Sequence, residues 1–168
     1  MKQHFFLPDH MEEDIFAYTP AYLQALGKKA LLCDIDNTLV TYDDPKPTPE
    51  ISVWLSEMKA AGIIVGFISN NDAARVETFN AELGLFAVSD AHKPLTGGIR
   101  RFMKETGLPR EEIAHVGDQI FTDVLMAHGV GVTALLVPPI KDKKTFFFRF
   151  KRMLEIPFLK RYRKLHNK

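Results

Sequence analysis

The chain carries a series of short, nearly unbroken apolar runs, and three of them stop at a polar side chain: residues 30–33 at Asp34, residues 63–68 at Ser69, and residues 113–116 just before Gly117-Asp118. Runs this short, without the polar alternation of a half-exposed strand, suit strands buried on both faces of a parallel sheet. A weaker run at residues 86–88 precedes His92-Lys93-Pro94, and a final one at residues 131–137 precedes Pro138-Pro139. Helical patterns separate these runs. Thr19-Pro20 supplies a capping hydroxyl and a proline at the first helical position, with Gly27 closing the segment. Residues 50–61 repeat apolar side chains at Ile51, Trp54, Leu55 and Met58 before Gly62. Further helices are expected near residues 72–83, through Ile99, Phe102 and Met103 to Gly107, and around residues 123–128. Strands alternating with helices predict an α/β fold with a parallel sheet covered on both faces. Ligands bind such sheets beyond the carboxyl ends of the strands, so Asp34, Ser69, Lys93 and Asp118 are expected along one edge.

The run Asp34-Ile35-Asp36-Asn37-Thr38 places two carboxylates where a strand turns into a loop, so both can face one phosphoryl group from different sides. A phosphate monoester resists anionic attack until a cation neutralises it. Cleaving it takes a nucleophile, an acid for the leaving alkoxide, and positive charge. Asp118 could complete a hard-oxygen magnesium site with Asp34 and the Asp36 carbonyl, leaving room for a phosphate oxygen and waters. Ser69 could donate a hydrogen bond to the phosphoryl oxygens, and Lys93 could offset their charge. Asp123, five residues beyond Asp118, could orient metal waters or Lys93, and Thr38 and Asn70 are expected to support the groups beside them. Other residues carry plainer expectations. Cys33 and Trp54 are read as packing and His115 and His128 as structural, while His92 is either a loop residue or a substrate contact.

The ordered set resembles the haloacid dehalogenase (HAD) superfamily: DxDxT at residues 34–38, the strand-end Ser69, Lys93, and the acids Asp118 and Asp123 of GDQIFTD. FLPDH, CDIDNTLV, ISNN, HKP, HVGDQIFTDV and the LVPPI-to-FFFRF exit extend the resemblance across essentially the whole chain. They look like the small capless IIIA subfamily typified by bacterial YqeG proteins, which is similar to the mitochondrial phosphatidylglycerophosphate phosphatases. The resemblance implies a HAD-like Rossmannoid three-layer sandwich and an aspartyl-phosphate mechanism. In that mechanism Asp34 attacks, Asp36 protonates the leaving group and then activates water, and magnesium holds the phosphate. His92 stands where an arginine is expected, which bears on substrate preference. The motif gaps, residues 37–68 and 70–92, are filled by the predicted elements and leave no room for a cap domain. The site is therefore expected to be open to bulky substrates, and association of copies would be one way to cover it.

Charge divides the chain near residue 140. Residues 141–168 hold 11 Lys/Arg against two acids, a local charge of +9, while residues 1–140 carry −8. The expected organisation is a capless phosphatase domain at 1–140 and a basic amphipathic tail at 141–168, which Pro157 should split into two short helices. The tail interleaves aromatics with cations, as a segment lying on an anionic membrane does; packing on the domain is the plainer possibility. The acidic body and the absence of a recognition motif argue against nucleic acid. One cysteine excludes an internal disulfide framework and fits a reducing compartment. The N-terminus has no long apolar run, and no stretch reaches the ~18 apolar residues of a spanning helix. The expectation is a cytoplasmic enzyme, peripheral at the inner membrane face, that converts phosphatidylglycerophosphate to phosphatidylglycerol. The alternatives are a phosphatase acting on a soluble nucleotide, sugar phosphate or phosphoprotein, and a non-catalytic phosphate-sensing module.

Overall fold

The computed structural model describes residues 5–141 and 145–166. Among them six strands form one sheet: β1 (His10–Met11), β2 (Ala30–Cys33), β3 (Ile64–Ile68), β4 (Phe86–Val88), β5 (Ile113–Gly117) and β6 (Thr133–Leu136). Their order is β1-β6-β5-β2-β3-β4, and every pairing is parallel. The chain builds outward from β2 through β3 to β4, then crosses back to β5 and β6 on the other side. The crevice where the order reverses lies beside β2, at the carboxyl ends of β2 and β5. Cys33 is in register with both Phe67 and Val116, which brings the residues following β2, β3 and β5 to a common edge.

Six α-helices among the described residues cover the sheet: α1 (Pro20–Ala25), α2 (Pro49–Ala60), α3 (Ala73–Asn80), α4 (Gly97–Thr106), α5 (Leu125–Val130) and α6 (Phe146–Leu165). Strand alternation sorts the core into two. Leu31 and Cys33 pack with Leu23 of α1, Ile51, Trp54 and Met58 of α2, and Val76 and Phe79 of α3. Ala30 and Leu32 pack on the other face with Ile99 and Phe102 of α4 and Met126 and Ala127 of α5. The expected three-layer α/β sandwich is the observed one. Capping sets the helix starts: Thr19, Thr48 and Asp72 accept from the backbone N–H groups of Tyr22, Ile51 and Arg75. Residues 37–68 hold a loop, α2 and β3, and residues 70–92 hold α3 and β4.

Three elements differ from expectation. β1 has no apolar run to announce it; it is held by backbone bonds from Asp9 and Glu12 to the Ala134 and Leu136 carbonyls. The helix expected near residues 123–128 begins earlier, with a π-helical turn at Ile120–Val124, where the Asp123 carboxylate accepts from the Gln119 N–H at 3.2 Å. Pro157 does not split the tail: α6 runs unbroken through it. Contacts on both sides of the proline outweigh its missing donor, with Phe148 and Glu155 buried before it and Tyr162 after it. Residues 142–144 and 167–168 of the expected tail, and residues 1–4, lie outside the described residues.

Candidate active site

Asp34 is the first residue past β2, and its N–H donates to the Val116 carbonyl at 2.9 Å, extending the ladder and turning its side chain onto the sheet edge. Its Oδ1 accepts from Lys93 Nζ at 2.6 Å, and its Oδ2 accepts from Thr38 Oγ1 at 3.0 Å. The same hydroxyl lies 3.5 Å from Asp118 Oδ1, beyond β5. Lys93 Nζ also donates to Asp123 Oδ1 at 2.7 Å, and His115 Nε2 meets that oxygen at 3.1 Å. Asn70 clamps the main chain of Lys93: its Oδ1 accepts the Lys93 N–H at 2.6 Å, and its amide donates to the Lys93 carbonyl at 3.4 Å. Ser69 is buried at the end of β3 and lines the same groove of about 310 Å³ as Asp34, Asp36 and Lys93. The structure thus brings together Asp34, Thr38, Ser69, Asn70, Lys93, Asp118 and Asp123. Asp36 also faces the groove, but its carboxylate turns away from the acid cluster, toward Asn71 and α3.

Charge in this cluster is unbalanced. Asp34, Asp118 and Asp123 are buried, and each offers one oxygen within 4.8 Å of the others. Burial works against every charge here. Lys93 and His115 overcome it at Asp123, whose carboxyl is held well below the usual range. Burial tends to lower Lys93 too, but Asp123 and Asp34 outweigh it and keep the ammonium charged. Burial pushes Asp34 up to about 6, with Lys93 pulling down and Asp123 adding to the rise. Asp118 is pushed up to about 8 by burial and by Asp34 and Asp123, against Arg152 and Lys93. Asp34 and Asp118 are therefore the carboxyls whose ionisation is least compensated, even with Lys93 on one and Arg152 on the other. Hard oxygen donors with uncompensated charge fit a divalent cation, and these two carboxylates would hold it.

A family model for haloacid dehalogenase-like hydrolases matches residues 4–131. The chain belongs to this family. Among curated relatives of this HAD hydrolase, a Bacillus subtilis (strain 168) protein described as "Probable phosphatase YqeG" is 38% identical over 92% of the chain and 90% of its own length. The chloroplastic/mitochondrial phosphatidylglycerophosphate phosphatase 1 of Arabidopsis thaliana is 26% identical over 94% of the chain, which spans 48% of that protein. A HAD superfamily subfamily III A hydrolase from Legionella pneumophila superposes with a TM-score of 0.56 at 23% identity, covering 67% of each chain. The cobalt-bound deoxy-D-mannose-octulosonate 8-phosphate phosphatase of Haemophilus influenzae gives 0.54 at 15%, covering 82% of this chain and 90% of its own. At these identities the two structures establish the shared fold.

The HAD site has further members that the motifs do not announce. Arg75 of α3 holds Asp36 Oδ1 through Nη2 at 2.8 Å and Nε at 3.1 Å, while Asn71 donates to Oδ2 at 3.2 Å. Arg152 of α6 holds Asp118 through its carboxylate and, at 2.5 Å, its carbonyl. Lys151 lines the catalytic groove. ISNN places Asn71 beside Ser69, but nothing in the sequence distinguishes Arg75 or Arg152 from surface cations. Among the isolated residues, Trp54 donates its indole N–H to the Tyr18 carbonyl and Cys33 is buried, both in the core. The His92 ring lies against the Asp90 carbonyl in the loop before Lys93. His128 pairs with Asp9.

Proposed function

We propose that this HAD hydrolase is a magnesium-dependent phosphomonoesterase working through an aspartyl-phosphate. The observation that carries the proposal is the arrangement of Asp34 between Lys93 and Thr38, facing Asp118, with the second acid, Asp36, opening on the same groove. An Asp34 oxygen attacks phosphorus as the ester P–O bond breaks, and Asp36 gives its proton to the departing alkoxide. Asp36 then takes a proton from water, which attacks the same phosphorus, releases inorganic phosphate and restores Asp34. Making either transfer requires Asp36 to exchange a bond with Arg75 or Asn71 for one with the reacting oxygen. Lys93 and Ser69 bind the phosphoryl oxygens, and Asp123, fixed by His115, keeps Lys93 charged and in place. A magnesium ion on Asp34 and Asp118, joined by the Asp36 carbonyl, would supply the remaining positive charge.

For substrate, the same proposal takes phosphatidylglycerophosphate at an anionic membrane surface on the cytoplasmic side. Residues 1–140 would be the catalytic unit and residues 141–168 the membrane contact. Supporting this reading are the resemblance to the plant lipid phosphatase and the outer face of α6, where Phe146, Phe147 and Phe150 are 85%, 68% and 43% exposed among Arg149 and Lys151. No helix among the described residues is long and apolar enough to cross a membrane. Rings inserted among headgroups contribute about 1.5–3 kcal/mol each when fully buried, and each nearby cation adds about 1 kcal/mol at an anionic surface.

The test is phosphate release from phosphatidylglycerophosphate in phosphatidylcholine–phosphatidylglycerol vesicles with magnesium. Asp34→Asn should lower the rate at least ~10³-fold. Replacing Phe146, Phe147 and Phe150 together by Ser should lower vesicle turnover at least ~10-fold and leave a soluble aryl phosphate ester unaffected. Asp34-dependent cleavage of the soluble ester with none of the lipid would keep the chemistry and reject the lipid. Equal loss on both substrates in the triple variant would reject the membrane contact.

A further inference from the structure

We propose that Arg152, contributed by the C-terminal helix, is a positioning residue that sets the Asp118 carboxylate for cation binding. This rests on the reading that Asp34 and Asp118 take magnesium. Arg152 Nη2 donates to Asp118 Oδ2, and Nη1 donates to the Asp118 carbonyl at 2.5 Å and to Glu155 Oε2 at 2.8 Å. Glu155 Oε1 accepts the N–H of Ile120 at 2.8 Å. One turn of α6 therefore grips both ends of the loop that carries Asp118. With Oδ2 engaged, Oδ1 is left turned toward Thr38, on the side of Asp34. The planar guanidinium meets the carboxylate and the carbonyl of one residue through N–H groups fixed in one plane, an orientation that the rotating donors of a single ammonium do not impose.

The contact is more than an anchor for the helix. Phe148, Tyr162 and the Phe158 ring, 5.2 Å from that of Phe6, already dock α6 without charge. Bringing a guanidinium to a fully buried carboxylate is a poor way to gain stability, because desolvation offsets most of the attraction. Its position, on a cation-facing group, gives it a role in orientation.

Two effects of Arg152 on a magnesium ion oppose each other: it orients Asp118, and it repels a second cation. Titration calorimetry of magnesium into the full chain separates them, with the metal-free melting temperature verifying the fold. If orientation dominates, Arg152→Met raises the magnesium Kd about 10- to 100-fold, and Arg152→Lys recovers part of the loss. An unchanged Kd in folded Arg152→Met makes the residue merely structural, and a tighter one makes it a competitor of the cation; either overturns the proposal. Should Arg152→Met not fold, Arg152→Lys decides, and a wild-type Kd there overturns it. Wild-type protein that binds no magnesium would overturn the metal reading itself, whereas wild-type binding with an unaltered variant overturns this proposal alone.

Discussion

Asp34, Asp118 and Asp123 face two cations, Lys93 and Arg152, and burial with the neighbouring acids leaves Asp118 the most strongly opposed of the three charges. Asp118→Asn removes one of those charges and keeps a hydrogen-bond acceptor for Arg152. In EDTA at pH 8 the variant should melt above wild type by about 2–4 °C for each kcal/mol of repulsion relieved. On the proposed metal reading it should also lose the rise that magnesium would give wild type. Scanning calorimetry with and without magnesium checks both, and a lower metal-free melting temperature would show that the Arg152 contact outweighs the repulsion among the acids. Gly117 is constrained more directly. A Cβ there would lie 2.1 Å from Asp123 Cγ, so Gly117→Ala must push Asp123 off Lys93. Turnover should fall at least ~10-fold and stability by roughly 1–3 kcal/mol; a variant with wild-type turnover and melting would contradict this packing.

At the scale of elements, the two-residue β1 is held to the domain by Asp9 and His128. His128 Nε2 meets Asp9 Oδ2 at 3.1 Å and Nδ1 meets the Phe5 carbonyl at 2.9 Å, two acceptors that only the protonated ring can satisfy. Burial disfavours the imidazolium, but Asp9 and Phe5 outweigh it and raise the pKa above 6.5. Burial also opposes the Asp9 charge, yet His128 and the Ala134 N–H bring that carboxyl below 3.8. The His128 contribution is complete below its unfolded value and lost as pH rises through the raised folded one. That of Asp9 is complete above its unfolded value and lost as pH falls through the lowered one. The strand is best anchored between 3.8 and 6.5 and loosens as pH rises past 6.5 through the raised His128 value. An NMR titration should place His128 above 6.5, and Asp9→Asn should lower it; a value that Asp9→Asn does not move would exclude the pair as the cause.

For the molecule as a whole, a +9 tail joined to a −8 remainder carries a consequence for salt. If the tail holds the acidic body to an anionic surface, raising ionic strength from 0.1 to 1 M shortens the screening length from about 10 to about 3 Å. Vesicle turnover should then fall several-fold while turnover of a soluble ester stays nearly level. Parallel decline on both substrates would place the salt effect in the active site. Deleting the tail is a poorer probe, because Arg152 and Glu155 tie α6 to the Asp118 loop, so deletion would impair both substrates alike.

The sheet, its two covering layers and the edge where Asp34, Ser69, Lys93 and Asp118 meet were legible from the sequence. The reason is local: an apolar run must stop where the buried strand stops, and the residue at the stop then lies at the sheet edge. The partners of that set were not legible in the same way. Arg75 is 39 residues from Asp36 and Arg152 is 34 from Asp118. In a linear chain each is one cation on a helix like many others, because periodicity tells which face is apolar and says nothing about which distant carboxylate a charged face will meet. β1 escaped for a related reason, since its pairing with β6 is made by backbone groups that every residue carries. The continuity of α6 through Pro157 was likewise a tertiary decision, in which burial on both sides outweighed the local preference of one residue. The sequence alone determined which chemical groups stand at the ends of the strands. Only the folded molecule, by bringing distant charges into a low-dielectric site, decided which cation meets each of them.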